Sequence, residues 1–257
     1  MCELLGVSSK KNIIMNDFLK VFFSHSIDHR NGWGIAFFDD TPAIIKKEPI
    51  KAIDSSILRK RLKNNIRTSR CIAHIRRATI GEENIDNTHP FSRYDDSGRL
   101  WVIAHNGTIF NSEVLSPYQY VQVGTTDSER ILLYIVDKMN TYYKENKKPP
   151  VPTERFGMVE DVIRNITPGN KVDLMIYDGE FLYVHKNEPG TLHMKETVDC
   201  ALFSTQALEA DGWKEVPQNR LLVYKDGELV YLGQKHNNTY VFDEKKWRLL
   251  FLEYSKL

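Results

Sequence analysis

The sequence predicts an α+β fold in which two packed β-sheets are flanked by helices. Strand patterns occupy residues 2–105 and 171–232, helical patterns lie between these two regions, and no internal repeat is evident. Such an order is typical of sheets that draw strands from both halves of the chain and bury one face against helices. The 257 residues are sufficient to bury a substantial core. We expect one domain that covers residues 1–257.

In the first part of the chain, apolar runs bounded by turn residues predict strands at residues 2–8, 32–38, 69–77 and 100–105. In the third of these, side chains alternate so that Ile72, His74 and Arg76 share one face. Between the second and third strands, Asp54 is predicted to cap an amphipathic helix that extends to Ile66.

In the second part, helices precede strands. Thr126-Asp-Ser-Glu129 has the sequence of a capping box, and Ile131 and Ile135 follow at helical spacing. A second helix is predicted over residues 153–166, and the polar stretch before it reads as a surface loop. Strands are then predicted at residues 172–177, 181–185, 201–204, 221–224 and 229–232, with Asp-Gly turns between two pairs of them.

Composition excludes several classes of function. Lys and Arg number 35 against 34 Asp and Glu, so the net charge of +1 gives no support to binding of nucleic acid or a membrane surface. No apolar run approaches the ~18–20 residues of a membrane span. The three cysteines, at positions 2, 71 and 200, form no C-x-x-C pair. This pattern predicts a reduced, cytoplasmic protein without disulfides or a zinc ribbon.

Cys2 is a candidate nucleophile, because removal of Met1 gives one residue both a thiol and a free α-amine. The amine titrates near pH ~7.7–8.0 and the thiol near ~8.5, so a proton can pass between them around neutral pH. The same pairing activates N-terminal threonine nucleophiles. A Met-Cys dipeptide is a weak signal by itself, and the rest of the sequence must support it.

Two adjacent arginines, Arg76 and Arg77, follow the third strand. A solvated strand end is the ordinary interpretation of such a pair. Arg76, however, lies on the face that carries His74, where a guanidinium can hold a carboxylate through two parallel hydrogen bonds.

Two further polar clusters also have ordinary structural interpretations. Asn106-Gly107 after His105 is a common turn signal, but the Asn amide and the Gly N–H can form an oxyanion hole. Asp127 suits the first turn of a helix through its interaction with the helix dipole, and it could equally hold an ammonium group.

The order and spacing of these clusters are more specific than any one of them. Cys2, H-x-R-x-A-T at 74–79, N-x-H-P at 87–90, H-N-G at 105–107 and T-D-S-E at 126–129 together resemble the class II glutamine amidotransferases. These are N-terminal-nucleophile hydrolases. The segments Gly32-Trp-Gly-Ile-Ala36, Arg76-Arg-Ala-Thr79 and Thr88-His-Pro-Phe91 are most similar to short, stand-alone members of the family.

The resemblance implies a four-layer α/β/β/α sandwich of two antiparallel sheets and a set of residue roles. Cys2 would be the nucleophile and its α-amine the base, and Asn106 and Gly107 would form the oxyanion hole. Arg76 would bind the α-carboxylate of glutamine, Asp127 would bind its ammonium group, and Thr79 would line the pocket. Attack on the γ-amide of glutamine or another γ-glutamyl compound would give a thioester that water hydrolyses. No cofactor or metal is expected.

Several alternatives stay open. Another N-terminal-cysteine hydrolase would share Cys2 but would not need Arg76 and Asp127 to fit a free amino acid. The chain could also be a glutaminase subunit that supplies ammonia to a separate synthase, or a non-catalytic subunit that binds a partner. A homodimer is equally open, and the apolar segment 245–254 could serve a core, a dimer or a partner. A metal site at His25 and His29 is the weakest option.

Overall fold

The computed structural model describes residues 2–78 and 82–254, and residues 251–254 by their helical backbone. The strands, in chain order, are β1 Glu3–Ile14, β2 Trp33–Phe37, β3 Ile44–Glu48, β4 Arg67–Ile75, β5 Phe91–Tyr94, β6 Leu100–Thr108, β7 Lys171–Tyr177, β8 Leu182–His185, β9 His193–Thr197, β10 Cys200–Ser204, β11 Lys214–Glu215, β12 Leu222–Lys225 and β13 Glu228–Leu232. The α-helices are α1 Asn16–Ser24, α2 Ser56–Leu62, α3 Asp127–Asn146, α4 Pro152–Ile166 and α5 Glu244–Tyr254.

The strands form two antiparallel sheets. In one sheet the order is β11-β9-β10-β1-β4-β2-β3, and in the other it is β13-β12-β8-β7-β6-β5. The first sheet joins distant parts of the chain, since β1 pairs with β10 on one side and with β4 on the other. The expected recruitment of strands from both halves of the chain is confirmed.

Three hydrophobic clusters separate four layers. The first lies between helices α1 and α2 and the first sheet, with Phe22 and Leu58 packed against Ala73. A second lies between the sheets, where Leu4 and Ile72 belong to the same cluster as Ala104. The third lies between the second sheet and helices α3 and α4. The fold is therefore the α/β/β/α sandwich, and the α+β prediction is confirmed.

Alternation along the central strands directs three predicted site residues to the same interior. Leu4 in β1, Ile72 in β4 and Ala104 in β6 all face the space between the sheets. Cys2 lies two residues before Leu4, Arg76 lies four residues after Ile72, and Asn106 lies two residues after Ala104. Because these separations are even, the side chains leave the backbone on those same faces. The fold thus gathers their side chains at one end of the sandwich.

Two local predictions need correction. Ser55, not Asp54, caps α2, because its hydroxyl accepts from the Leu58 N–H at 3.0 Å, and the helix ends at Leu62 before reaching Ile66. At α3, Thr126 accepts from the Glu129 N–H as predicted, but the Glu129 carboxylate bonds the N–H groups of residues 123 and 124. Only half of the predicted capping box forms, because the preceding loop supplies competing donors.

The apolar C-terminal segment forms α5 and contacts the body of its own chain. The Trp247 indole donates to the Tyr240 hydroxyl at 3.0 Å and meets the Phe110 ring edge-on. Leu250 is buried, whereas Leu249 is exposed. Across residues 2–78 and 82–254, no helix is both long and apolar enough to cross a bilayer.

Candidate active site

A small cavity opens at the end of the sandwich where β1 begins and β4 and β6 end. It encloses about 30 Å³, which is room for roughly two water molecules. The lining residues are Cys2, Arg76, Arg77, Ala78, His89, His105, Gly107, Thr108, Thr126, Asp127 and Ser128.

Cys2 immediately precedes β1, and its thiol lies against the backbone of Arg77. The Arg77 N–H approaches Sγ at 3.4 Å, and the Arg77 carbonyl oxygen lies 3.5 Å away. Burial raises the pKa of the Cys2 thiol, while the Arg77 backbone hydrogen bond and the Arg76 charge act in the opposite direction. The thiol thus rests protonated near neutral pH and needs a base to become a nucleophile.

Arg76 follows β4 and is only 3% exposed. Its backbone N–H donates to the Gly32 carbonyl oxygen at 2.8 Å, and its Nη1 donates to the Glu82 carbonyl oxygen at 2.9 Å. Burial lowers the pKa of the guanidinium, and Cys2, Glu83 and Asp127 offset that effect only in part. An anionic ligand would be stabilised beside this partly compensated cation.

Asp127 is the first residue of α3, held by a short chain of hydrogen bonds. Its Oδ2 accepts from the Ile109 N–H at 2.7 Å. His105 Nε2 lies 3.2 Å from the Lys171 carbonyl oxygen, which can only accept, so this nitrogen carries the proton. The Ser128 hydroxyl lies 2.9 Å from His105 Nδ1 and donates to Asp127 Oδ1 at 3.3 Å. Because a carboxylate oxygen has two lone pairs, Oδ1 can still accept from a ligand.

Gly107 has a steric reason to be glycine. A Cβ at this position would lie 2.1 Å from the Lys171 carbonyl oxygen and 2.2 Å from His105 Nε2. Its backbone also has a definite direction. Gly107 is paired with Val172, whose N–H donates toward the β8 side to Asn187 at 2.8 Å. Gly107 and Val172 are therefore a non-hydrogen-bonded pair, and the Gly107 N–H points away from β7.

β5 does not cover that side of Gly107, because its last pair with β6 is Phe91 with Ile103. The Gly107 N–H thus projects beyond the end of β5, at the edge of the cavity. Asn106 precedes it and is 1% exposed. Neither its Oδ1 nor its Nδ2 has a hydrogen-bond partner in the described part of the chain. Asn106 does not itself line the cavity, although its amide faces the same interior.

Two histidines beside this amide share the same unsatisfied state. His74 and His89 are buried and stack with ring centroids 4.1 Å apart, and none of their ring nitrogens has a partner at normal hydrogen-bond geometry among the described residues. The backbone of His105 is near enough to His74 to raise its pKa slightly against the effect of burial. Burial lowers the pKa of His74 to about 3 and places that of His89 well below its usual value, so both rings are neutral. Gly34 permits the approach of this loop, since a Cβ there would lie 2.1 Å from the His89 carbonyl oxygen.

The histidines considered as metal ligands bind a carboxylate instead. His25 Nδ1 lies 2.8 Å from Glu3 Oε2, and His29 Nε2 lies 3.7 Å from Glu3 Oε1. Gln206 donates to the same carboxylate at 2.7 Å. Within residues 2–78 and 82–254, no cluster of three or more His, Cys, Asp or Glu is arranged to hold a metal ion.

The structure brings Cys2, Arg76, Gly107 and Asp127 to one cavity and places Asn106 directly behind it. Thr79 lies outside the described residues. Sequence reasoning assigned no role to Ser128, which donates to Asp127, to His105, which lies against Ser128, or to the stacked pair of His74 and His89. Both histidines stood in the recognised motifs, so their positions were visible. Their partners were not, because each contact joins distant segments.

Comparison with known proteins gives the family. The family model described as "Glutamine amidotransferases class-II" matches residues 1–197. The chain belongs to the class II glutamine amidotransferases. An uncharacterized protein of Methanocaldococcus jannaschii is 30% identical to this amidotransferase, over 91% of this chain and 72% of that protein.

Solved structures agree on the fold of this class II amidotransferase. One is a predicted glutamine amidotransferase from Pseudomonas aeruginosa PA01, with a TM-score of 0.62 and 21% identity over 90% of this chain and 100% of that one. Another is the glutamine phosphoribosylpyrophosphate amidotransferase of B. subtilis, with a TM-score of 0.67 and 15% identity. That similarity covers 93% of this chain but only 50% of the B. subtilis chain.

Proposed function

We propose that this amidotransferase is a γ-glutamyl amidohydrolase in which Cys2 attacks the γ-amide of glutamine or of a larger γ-glutamyl compound. The observation that carries the proposal is the grouping of a thiol, a guanidinium and a carboxylate around one cavity. The head of glutamine is a zwitterion, which needs one cation and one anion. Arg76 and Asp127 supply this pair, with Arg76 on the α-carboxylate and Asp127 Oδ1 on the α-ammonium group.

In the chemistry that follows, Cys2 acts with its own α-amine once Met1 has been removed. The amine takes the S–H proton, and sulfur adds to the carbonyl carbon of the γ-amide. The resulting oxyanion is bound by the Asn106 amide and the Gly107 N–H. The C–N bond then breaks, the ammonium group returns its proton to the departing nitrogen, and a γ-glutamyl thioester remains. Water, deprotonated by the amine, adds to the thioester and releases glutamate and the thiol.

Selective labelling of Cys2 tests this proposal. Protein expressed in cells should lose Met1, and a diazoketone analogue of glutamine should add once, at Cys2, by intact-mass and peptide analysis. The other thiols serve as internal controls. Cys71 and Cys200 are buried, whereas Cys2 is partly exposed, so the reagent should reach Cys2 alone.

The other outcomes are equally informative. Retained Met1 with no adduct would contradict an enzymatic role and favour a non-catalytic partner-binding subunit. An adduct at Cys71 or Cys200 would show that the wrong thiol had been chosen. Weak glutamine hydrolysis that rises only when a synthase is added, with ammonia delivered to that partner, would make the chain a glutaminase subunit.

A further inference from the structure

A second cavity adjoins the small one at the Cys2 end. It encloses about 320 Å³ and is lined by Asp28, Arg30, Asn31, Arg77 and Ala78. The two cavities share Arg77 and Ala78. The larger one is therefore separated from the reacting sulfur by the same backbone that hydrogen-bonds Cys2. Its volume suits a group of amino-acid or dipeptide size.

The charges that line the larger cavity are uncommitted. Arg30 and Arg77 are exposed, and across residues 2–78 and 82–254 neither guanidinium has an ion pair or side-chain hydrogen bond. Asp28 forms no ion pair in that part of the chain either. Asn31 is already engaged, since its Oδ1 accepts from the Ala78 N–H at 2.8 Å and its Nδ2 donates to Glu83. Two guanidinium groups against one carboxylate give the lining a net positive charge, while the Glu83 carboxylate bound to Asn31 stands outside the lining.

The orientation of a bound γ-glutamyl group points its leaving group into this positive cavity. The α-ammonium end is assigned to Asp127, which borders a different cavity of about 450 Å³ together with Ile109 and Arg130. The γ-carbonyl must reach Cys2 Sγ, which lies against the Arg77 backbone. A chain extended from Asp127 to Cys2 therefore continues past Arg77, away from the Asp127 side.

We propose that this cavity binds the leaving group of a γ-glutamyl amide, and that the leaving group carries a carboxylate, as the amino-acid or peptide part of a γ-glutamyl peptide does. This inference rests on the proposed function. The bond broken is still the γ-amide C–N bond, and the nitrogen still leaves with the proton from the Cys2 ammonium group. Arg77 and Arg30 bind the carboxylate through charge-assisted hydrogen bonds, which guanidinium groups form well with planar anions.

A matched pair of substrates tests the proposal, because γ-glutamylglycine and γ-glutamylglycinamide differ only in a carboxylate. The wild-type protein should show a kcat/KM about tenfold higher for the carboxylate, a modest preference because both guanidinium groups are exposed to water. Arg77→Gln and Arg30→Gln should each lower this ratio, and together they should bring it near one. Asp28→Asn should raise the ratio. Arg67→Gln, an exposed arginine at the other end of β4, should leave it unchanged.

The outcomes separate this inference from the proposed function. A wild-type ratio near one, or a ratio that neither arginine variant changes, would overturn the carboxylate subsite while hydrolysis of γ-glutamyl amides stands. Hydrolysis of glutamine without hydrolysis of either amide would also overturn the subsite alone. If nothing is hydrolysed and Cys2 is not labelled, both proposals fail. A preference that declines as salt is raised would support the ionic origin of the ratio.

Discussion

Arg76 and Arg155 are buried to nearly the same extent, at 3% and 2% exposure, but their surroundings differ. Burial lowers the pKa of both guanidinium groups. At Arg155 the charges and hydrogen bonds of Asp178 and Tyr183 together more than offset this effect, and the pKa ends above its ordinary value. At Arg76 the neighbouring charges fall short, and the pKa ends below it. One cation is fully compensated by its own protein, and the other is compensated only in part.

The surroundings of Arg155 are complete. Its Nε donates to Asp178 Oδ2 at 2.7 Å, its Nη2 to Glu180 Oε2 at 2.7 Å and its Nη1 to the Pro150 carbonyl oxygen at 3.0 Å. Asp178 is completed by the Tyr183 hydroxyl, which donates to Oδ2 at 2.7 Å. Such a network ties α4 to the end of β7 and has no capacity left for a ligand.

Several buried polar groups in the same part of the fold as Arg76 have no partner among the described residues. The amide of Asn106 and the rings of His74 and His89 have no hydrogen-bond partners in the described part of the chain. Buried polar groups are normally paired, so a concentration of unpaired ones needs an explanation. Under the proposed function, a bound substrate would supply partners to these groups, whereas the network of Arg155 is completed within the chain.

The largest expected effect is on stability, at the complete arginine. Arg155→Met leaves Asp178 buried without its cation, which should lower the free energy of unfolding by about 3–5 kcal/mol. Denaturant unfolding measures the loss. Adding Asp178→Asn to this variant should recover part of it, because the amide keeps an acceptor but carries no charge. A loss below about 1 kcal/mol in the single variant would show that the Arg155 network does not stabilise the fold as argued.

The next effect is on catalysis and concerns Asn106. Asn106→Ala should lower kcat by about 10²–10³-fold with little change in KM, since its amide acts on the developing oxyanion. Stability should be nearly unchanged, because the described structure shows no hydrogen bond to this amide. Asn170→Ala is the matched control. Its side-chain amide accepts from the Phe110 N–H and donates to the Ile166 carbonyl oxygen, so this variant should lose stability instead.

Third, Arg76→Lys should raise KM by about 10- to 100-fold, because a point charge cannot replace two parallel hydrogen bonds to a carboxylate. Initial-rate kinetics with glutamine, together with a melting curve, separate binding from folding. Arg77→Lys keeps the charge at an exposed position and should have a much smaller effect. A silent Arg76→Lys beside a crippling Arg77→Lys would show that the face assignment is wrong by one residue.

The sequence predicted the central strands well because their apolar alternation is strong. Ile72, His74 and Arg76 were placed on one face by period alone, and the structure confirms that Ile72 and His74 face the sheet interior. Four strands were missed. β3, β5 and β11 are edge strands whose largely exposed residues leave little apolar pattern, and β9 is a half-exposed strand beside β11.

Contacts between distant segments set a second limit. The sequence motifs indicated the neighbourhood of Cys2, but no local pattern specifies that His89 stacks on His74 or that Ser128 lies against His105. The cavity between Arg30 and Arg77 has the same origin, since it requires the loop before β2 to meet the end of β4. The local sequence pattern therefore predicted which residues lie near Cys2 better than it predicted the residues that they contact.

The smallest expected effect is a pH dependence of stability, which compares two buried histidines. The pKa of both His74 and His185 is lowered to about 3 by burial, against an ordinary value of 6.5. Below pH 6.5 the unfolded chain binds protons that the folded chain does not, so stability is full above that pH and is lost as pH falls toward 3. Each histidine should contribute a loss of about 1 kcal/mol between pH 6.5 and 5.5. Denaturant unfolding of His74→Phe should show a smaller loss than wild type by that amount, with little cost at pH 7 because no hydrogen bond is given up.

His185→Phe should show the same reduced slope but lower stability at pH 7, since it removes bonds to the Val172 carbonyl and to His236. Equal costs for the two variants at pH 7 would mean that His74 has partners after all, and would weaken the case for an incomplete site.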